Sequence, residues 1–170
     1  RRTFIQTTAS ATATLLLSSL DSFASPYKSA IVNKNFELKV LGTNWGFGGT
    51  TDEFCAAVKK EGYDGIEMWW PGDKKGQDEL FAALKKHSLD VGFLCGGSQP
   101  NWKEHLETFK KATTAAATNT IQKPLYINCH SGRDHFSFEQ NKAFIDHTTQ
   151  LSKETGITIC HETHRSRIMF

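Results

Sequence analysis

The sequence predicts an α/β fold, a (β/α)8 TIM barrel truncated to about its first five strands, and three observations lead there. Short apolar runs alternate with amphipathic stretches, they recur at roughly 30-residue intervals, and polar or aromatic residues follow nearly every run. This is the βαβ rhythm of a parallel sheet. An open doubly wound sheet gathers its ligands at one switch point, whereas a barrel sets functional residues at the carboxyl ends of many strands. Here Asn44-Trp45, Glu67 with Trp69-Trp70, Asn128 with His130, and Glu162 with His164 all stand at such ends, which favours the barrel. Eight units of roughly 30 residues need about 240, close to the ~250 typical of a complete barrel.

The elements follow in order. The chain opens Arg1-Arg2-Thr3-Phe4-Ile5-Gln6, passes a mildly apolar stretch to Leu20, and reaches Ser22-Phe23-Ala24. Twin arginines, a hydrophobic pair, a short apolar region and a small-x-small site resemble a twin-arginine export signal. Residues 1–24 are therefore expected to be a signal peptide cleaved after Ala24, and the expected location is periplasmic or exported. Residues 25–35 read as a linker, and 36–170 as the barrel portion. The apolar core around Leu15–Leu20 is too short to span a bilayer, and no later segment approaches ~18 consecutive apolar residues, so no membrane partner is expected.

Phe36–Thr43 suits a first strand. Thr50 or Thr51 can cap a helix carrying Phe54 and Val58, and Gly62 can end it. Gly65–Trp70 is the second strand; Leu80, Phe81 and Leu84 mark the second helix, with Asp78-Glu79 in its first turn. Val91–Cys95 is the third strand, ended by Gly96-Gly97, and Trp102, Leu106, Phe109 and Ala112 keep helical spacing after it. Leu125–Cys129 is the fourth strand. Ser137 with Gln140 makes a capping box for a helix lined by Phe144, Ile145, Thr148 and Leu151 and closed by Gly156. Ile157–Cys160 is the fifth strand.

Composition narrows the classes. Hydrophobic residues at 38% and charged residues at 22% are ordinary for a globular protein. The net charge is +2, and without Arg1, Arg2 and Asp21 the two signs nearly balance, so no nucleic-acid partner is expected. Cysteines 55, 95, 129 and 160 form no C-x-x-C pair and read as small buried thiols. Nothing in the sequence sets the oligomeric state.

Side chains alternate faces along a strand. Thr158, Cys160 and Glu162 share one face, opposite Ile157, Ile159 and His161; Tyr126, Asn128 and His130 share another, opposite Leu125 and Ile127. The apolar sets belong against helices, so Glu162 and His130 are expected to project from adjacent strands into one cavity. A carboxylate and an imidazole there suit a divalent metal such as Mn²⁺, Mg²⁺ or Zn²⁺. His161-Glu162-Thr163-His164 has one intervening residue too few for a zinc-protease motif and lies at a strand end. Gly46-Phe47-Gly48-Gly49 is not G-x-G-x-x-G and reads as a flexible loop. Trp69-Trp70 could stack on a sugar ring or pack the barrel rim.

Gly65-Ile66-Glu67, Asn128-Cys129-His130-Ser131-Gly132 and Ile159-Cys160-His161-Glu162-Thr163-His164-Arg165 together resemble the sugar phosphate isomerase/epimerase family, within the xylose-isomerase-like barrels that include endonuclease IV. The resemblance runs from Phe36 to Phe170. It implies that Glu162 is a metal ligand with a part in proton transfer, that His130 is a second ligand, and that His164 contacts substrate. Asn128, Trp69 and Glu67 are the further substrate-binding candidates. The implied function is metal-dependent isomerisation or epimerisation of a sugar or keto-sugar. The family's remaining Asp, His and Glu ligands lie on later strands, so the five-strand stretch alone is expected to be inactive. An exported non-catalytic sugar-binding barrel and an endonuclease IV-like phosphodiesterase are the alternatives.

Overall fold

The structure, a computed structural model, describes residues 37–168. The expected signal peptide, the linker and Phe36 lie outside the described residues. Every strand and helix among the described residues lies within Lys39–Phe170.

Five strands, β1 (Leu41–Thr43), β2 (Gly65–Trp69), β3 (Asp90–Gly96), β4 (Ile127–His130) and β5 (Ile159–His161), form one all-parallel sheet in the order β1-β2-β3-β4-β5. Between them run α1 (Thr51–Lys60), α2 (Lys74–His87), α3 (Trp102–Thr118) and α4 (Phe138–Thr155). The α/β class and the five strands agree with the sequence pattern. Consecutive strands are always neighbours, so no crossover reverses the direction in which the sheet grows.

The helix ends explain where each unit starts and stops. Thr50 and Glu53 close a capping box on α1, and Ser137 with Gln140 closes another on α4. Gly156 ends α4 at φ 66°, a left-handed conformation that glycine adopts without steric cost. The second helix begins earlier than Asp78-Glu79 suggested. Asp73 caps it by accepting from the Gly76 amide, and Asp78 and Glu79 pair with Lys74 and Lys75 one turn back.

Strand bounds also shift. β1 begins at Leu41, because the Val40 amide donates to the Asp64 carboxylate at 2.7 Å and not to a strand neighbour. β4 and β5 start two residues later than the apolar runs, at Ile127 and Ile159, and extend to His130 and His161. At β5 the apolar run begins ahead of the ladder because Ile157 is buried against the helices while still in the connection.

One face of the sheet carries the core. Ile66, Val91, Phe93, Cys95, Ile127 and Cys129 pack with Phe54, Leu84, Phe109, Phe144 and Leu151 from the helices. The remaining strand face presents Glu67, Gly92, Leu94, Tyr126, Asn128 and Cys160, and among the described residues no side-chain hydrogen bond or ring contact joins it to a helix. Burial pushes the thiols of Cys55 and Cys95 up to about 11 and about 12, and that of Cys129 upward as well. Cys160 departs from the expectation of four buried thiols: it lies on the open face and is exposed.

Two histidines under the helices give a pH dependence. His105 is fully buried, and His147 approaches the Thr113 hydroxyl at 2.9 Å; burial is the main reason both hold a proton less tightly than the ordinary value of 6.5. Their folded affinity is depressed, so the unfolded chain binds more protons below about pH 6.5. Stability is therefore expected to be full above that value and to fall as pH drops through it. Thermal melts between pH 7.5 and 5 should show a falling midpoint; a flat or rising midpoint would contradict the assignment. Asp52 and Glu53, whose carboxyls are lowered by hydrogen bonds, act only in a more acidic window.

Candidate active site at the strand ends

The open face is shaped by what β3 lacks. Gly92 and Gly96 are its residues beside Tyr126 and His130. A Cβ at Gly92 would meet the Tyr126 ring at 2.8 Å, and one at Gly96 would stand 3.2 Å from both His130 and Trp69. The missing side chains let Tyr126, just before β4, and His130 within it lean across β3 toward β2. Tyr126 thereby donates to Glu67 Oε1 at 2.9 Å, and Trp69 meets His130 edge-on with ring centroids 5.0 Å apart.

Above this layer the ladder continues past β5, since the Glu162 amide donates to the Cys129 carbonyl at 3.0 Å. Glu162 keeps the phase of Cys160 and comes to lie beside His130. Its Oε2 accepts from Asn128 Nδ2 at 2.9 Å and stands 2.8 Å from His130 Nε2. An ionised carboxylate only accepts, so His130 carries its proton on Nε2. Oε1 makes no hydrogen bond within the described residues, and the side chain is 36% exposed. His130 is buried, held between Trp69 and His164, whose ring centroid is 4.7 Å away.

Asn128, His130, Glu162, Trp69 and His164 thus form one group; strand phase implied the place of Asn128, His130 and Glu162 in it, but not that of Trp69 or His164. Glu67 does not join it, being tied to Tyr126 one register step further down. The two tryptophans separate. Trp69 faces the group at 41% exposure, while Trp70 turns to the core against Phe81 and Phe93.

His161, on the opposite phase, ties the site to α4. Thr148 commits its hydroxyl proton to the carbonyl of Phe144 or Ile145, so its oxygen accepts from His161 Nε2 at 2.7 Å. Nδ1 is then the acceptor for Ser131 Oγ at 2.5 Å. Burial lowers the proton affinity of this imidazole below the ordinary value.

The donor types at Glu162 and His130 suit a divalent ion, but their number does not complete a site. Among the described residues no group of three or more His, Cys, Asp or Glu side chains could hold a metal. The two donors present are engaged with each other, and a catalytic zinc would need a third protein ligand. No helix among the described residues is long and apolar enough to cross a membrane.

Sequence reading missed Tyr126 as the partner of Glu67; its phase was visible, but the glycine opposite it gave no such signal. It also passed over Arg133 and Arg167, loop residues that follow β4 and β5 directly. No family model matches the chain, and no curated protein matches it.

Replacing Tyr126 with Phe removes the donor to Glu67 and leaves the ring in place. The expected loss is about 1 kcal/mol, the net worth of one such hydrogen bond in a half-buried setting. A shift of the denaturant midpoint at unchanged m-value would measure it, and an unshifted midpoint would count against the bond.

Proposed function

We propose that this chain contributes the strand-four and strand-five part of the active site of a metal-dependent sugar or keto-sugar isomerase or epimerase. The supporting scaffold in this reading is a (β/α)8 barrel whose first five strands are those described. Sequential parallel order, a helix-covered face and an uncovered polar face all favour closure, because an open parallel sheet normally has helices on both faces. Family resemblance at Gly65-Ile66-Glu67 and Ile159-Cys160-His161-Glu162-Thr163-His164-Arg165 supports the same reading.

The observation that carries the proposal is the Glu162 carboxylate, held by Asn128 and His130 at the ends of adjacent strands with Oε1 unengaged by the described residues. Isomerisation requires removal of a proton next to a carbonyl and its return. Glu162 Oε1 is suited to take that proton, while Asn128 and His130 fix the carboxylate's orientation through Oε2. Trp69, partly exposed beside His130, offers a flat apolar surface to a sugar ring, and His164 lies over the His130 ring as a further polar contact. Glu162, and His130 once its Nε2 proton is released, would supply two of the donors to a divalent ion, which when bound stabilises negative charge developing on substrate oxygens. Export through a twin-arginine leader belongs to the same proposal, with residues 1–24 as the address.

The test is incorporation of solvent deuterium at the carbon next to the carbonyl of a panel of ketoses and aldoses, using the full-length protein. Exchange is the expected result. Sugar binding without exchange would favour the non-catalytic barrel instead.

A further inference from the structure

The segments that end β4 and β5 are joined on both faces of the sheet. On the open face His130 Nε2 stands 2.8 Å from Glu162 Oε2. On the core face the next residue of one segment meets the preceding residue of the other, with Ser131 Oγ 2.5 Å from His161 Nδ1. This second contact sets polar groups on a face where β4 carries Ile127 and Cys129.

The core-face contact is one step of a directed chain. Ser131 donates to His161 Nδ1, His161 Nε2 donates to Thr148 at 2.7 Å, and Thr148 donates to the carbonyl of Phe144 at 3.2 Å or Ile145 at 3.0 Å. Each ring nitrogen has one role, so turning the imidazole over or moving its proton breaks the chain. Ser131 and Thr148 are almost wholly buried, and a buried polar chain fixes one arrangement because each alternative leaves a group unpaired. An apolar side chain at position 161 would pack there with no such restriction.

Glu162 hangs from the same rung. Its amide donates to the Cys129 carbonyl at 3.0 Å, one residue past the end of β5. Backbone pairing along one edge leaves such a segment free to roll about its own axis, and a roll carries the carboxylate away from Asn128 and His130. Attachments on opposite faces remove that freedom. Beyond Glu162 the chain returns to Ser131, whose carbonyl accepts from the Ile168 amide at 3.2 Å, and Arg167 donates to the Gly97 carbonyl at 2.9 Å.

We infer that His161 is a positioning residue: held between Ser131 and Thr148 on the core face, it fixes the roll of the β5 end and so the direction in which Glu162 presents Oε1. That the carboxylate so placed moves a proton rests on the isomerase reading; control of the Glu162–His130 contact by the core-face chain does not.

The test is made at Thr148, which lies on α4 and is linked to the site through His161. Thr148→Val keeps the outline of the side chain and removes the acceptor; Thr148→Ser restores it. In the full-length protein with divalent ions chelated, the His130 Nε2 proton, bound to a carboxylate, gives a downfield NMR signal. That signal should shift or broaden in Thr148→Val and return in Thr148→Ser. With the most active sugar of the ketose and aldose panel, kcat for deuterium exchange should fall roughly 10- to 100-fold in Thr148→Val, the cost of a misplaced catalytic group, while KM stays within about twofold. Ser131→Ala cuts the chain at its other end and should give the same pattern, so it decides the matter where Thr148→Val does not fold. An unmoved His130 signal, or a kcat equal to the parent's, would overturn the positioning role and leave the isomerase reading intact. A signal that moves and returns as described, in a protein that exchanges no sugar, would keep the positioning role and remove the isomerase reading.

Discussion

Glu162→Gln is expected to lower solvent deuterium exchange into the substrate by about 10²- to 10⁴-fold, the range a positioned acid–base group contributes. The amide keeps the size of the side chain but cannot take a proton at Oε1. It also replaces the charged acceptor that Asn128 Nδ2 and His130 Nε2 share at 2.9 and 2.8 Å. Metal content, measured by elemental analysis of the full-length protein, should fall together with turnover, because the same carboxylate serves both in the proposed site. The fold should survive, since Glu162 is partly exposed and lies just past β5. Undiminished exchange at full metal loading would take Glu162 out of the mechanism.

The second large effect is at Gly92. Alanine there places a methyl carbon 2.8 Å from the Tyr126 ring, a distance that real side chains do not tolerate. Tyr126 lies over the sheet and is hydrogen-bonded to Glu67, so it yields only by breaking that contact or by moving β4 away from β3. Overpacking of this kind costs about 1–3 kcal/mol. Combining Gly92→Ala with Tyr126→Leu should recover much of the loss, because the smaller side chain vacates the space. Chemical denaturation of the four proteins closes the cycle. An additive result, with no recovery, would show that the strain lies in the backbone and not against Tyr126.

Much of this was legible in the residues themselves. The alternation of Tyr126, Asn128 and His130 with Ile127 and Cys129, and the phase of Glu162, were enough to place His130 and Glu162 side by side. Capping chemistry at Thr50, Ser137 and Gly156 marked two helices because those signals are local. Less local features stayed hidden. Asp73 could not be told from other loop acids as the cap of α2, and the apolar runs at β4 and β5 begin two residues ahead of the strands themselves. Trp69 and Trp70 are adjacent in sequence but point to opposite faces, and only the pairing register decides which of them reaches the site. Gly92 and Gly96 matter for what their neighbours do across the sheet, which no one-dimensional pattern records.

The unbroken strand order has a further meaning for how the chain is made. Leu41 pairs with Gly65, Gly65 with Asp90, Phe93 with Ile127 and Ile127 with Ile159, so every strand finds its partner a few tens of residues away. Loop-closure entropy rises only slowly over such spans. Each βα unit can therefore settle on the one before it as it leaves the ribosome, without waiting for a distant segment. Synthesis at about 5–20 residues per second allows one to several seconds per unit, ample time for local docking. The order of the strands along the sheet is then also the order of their assembly in time.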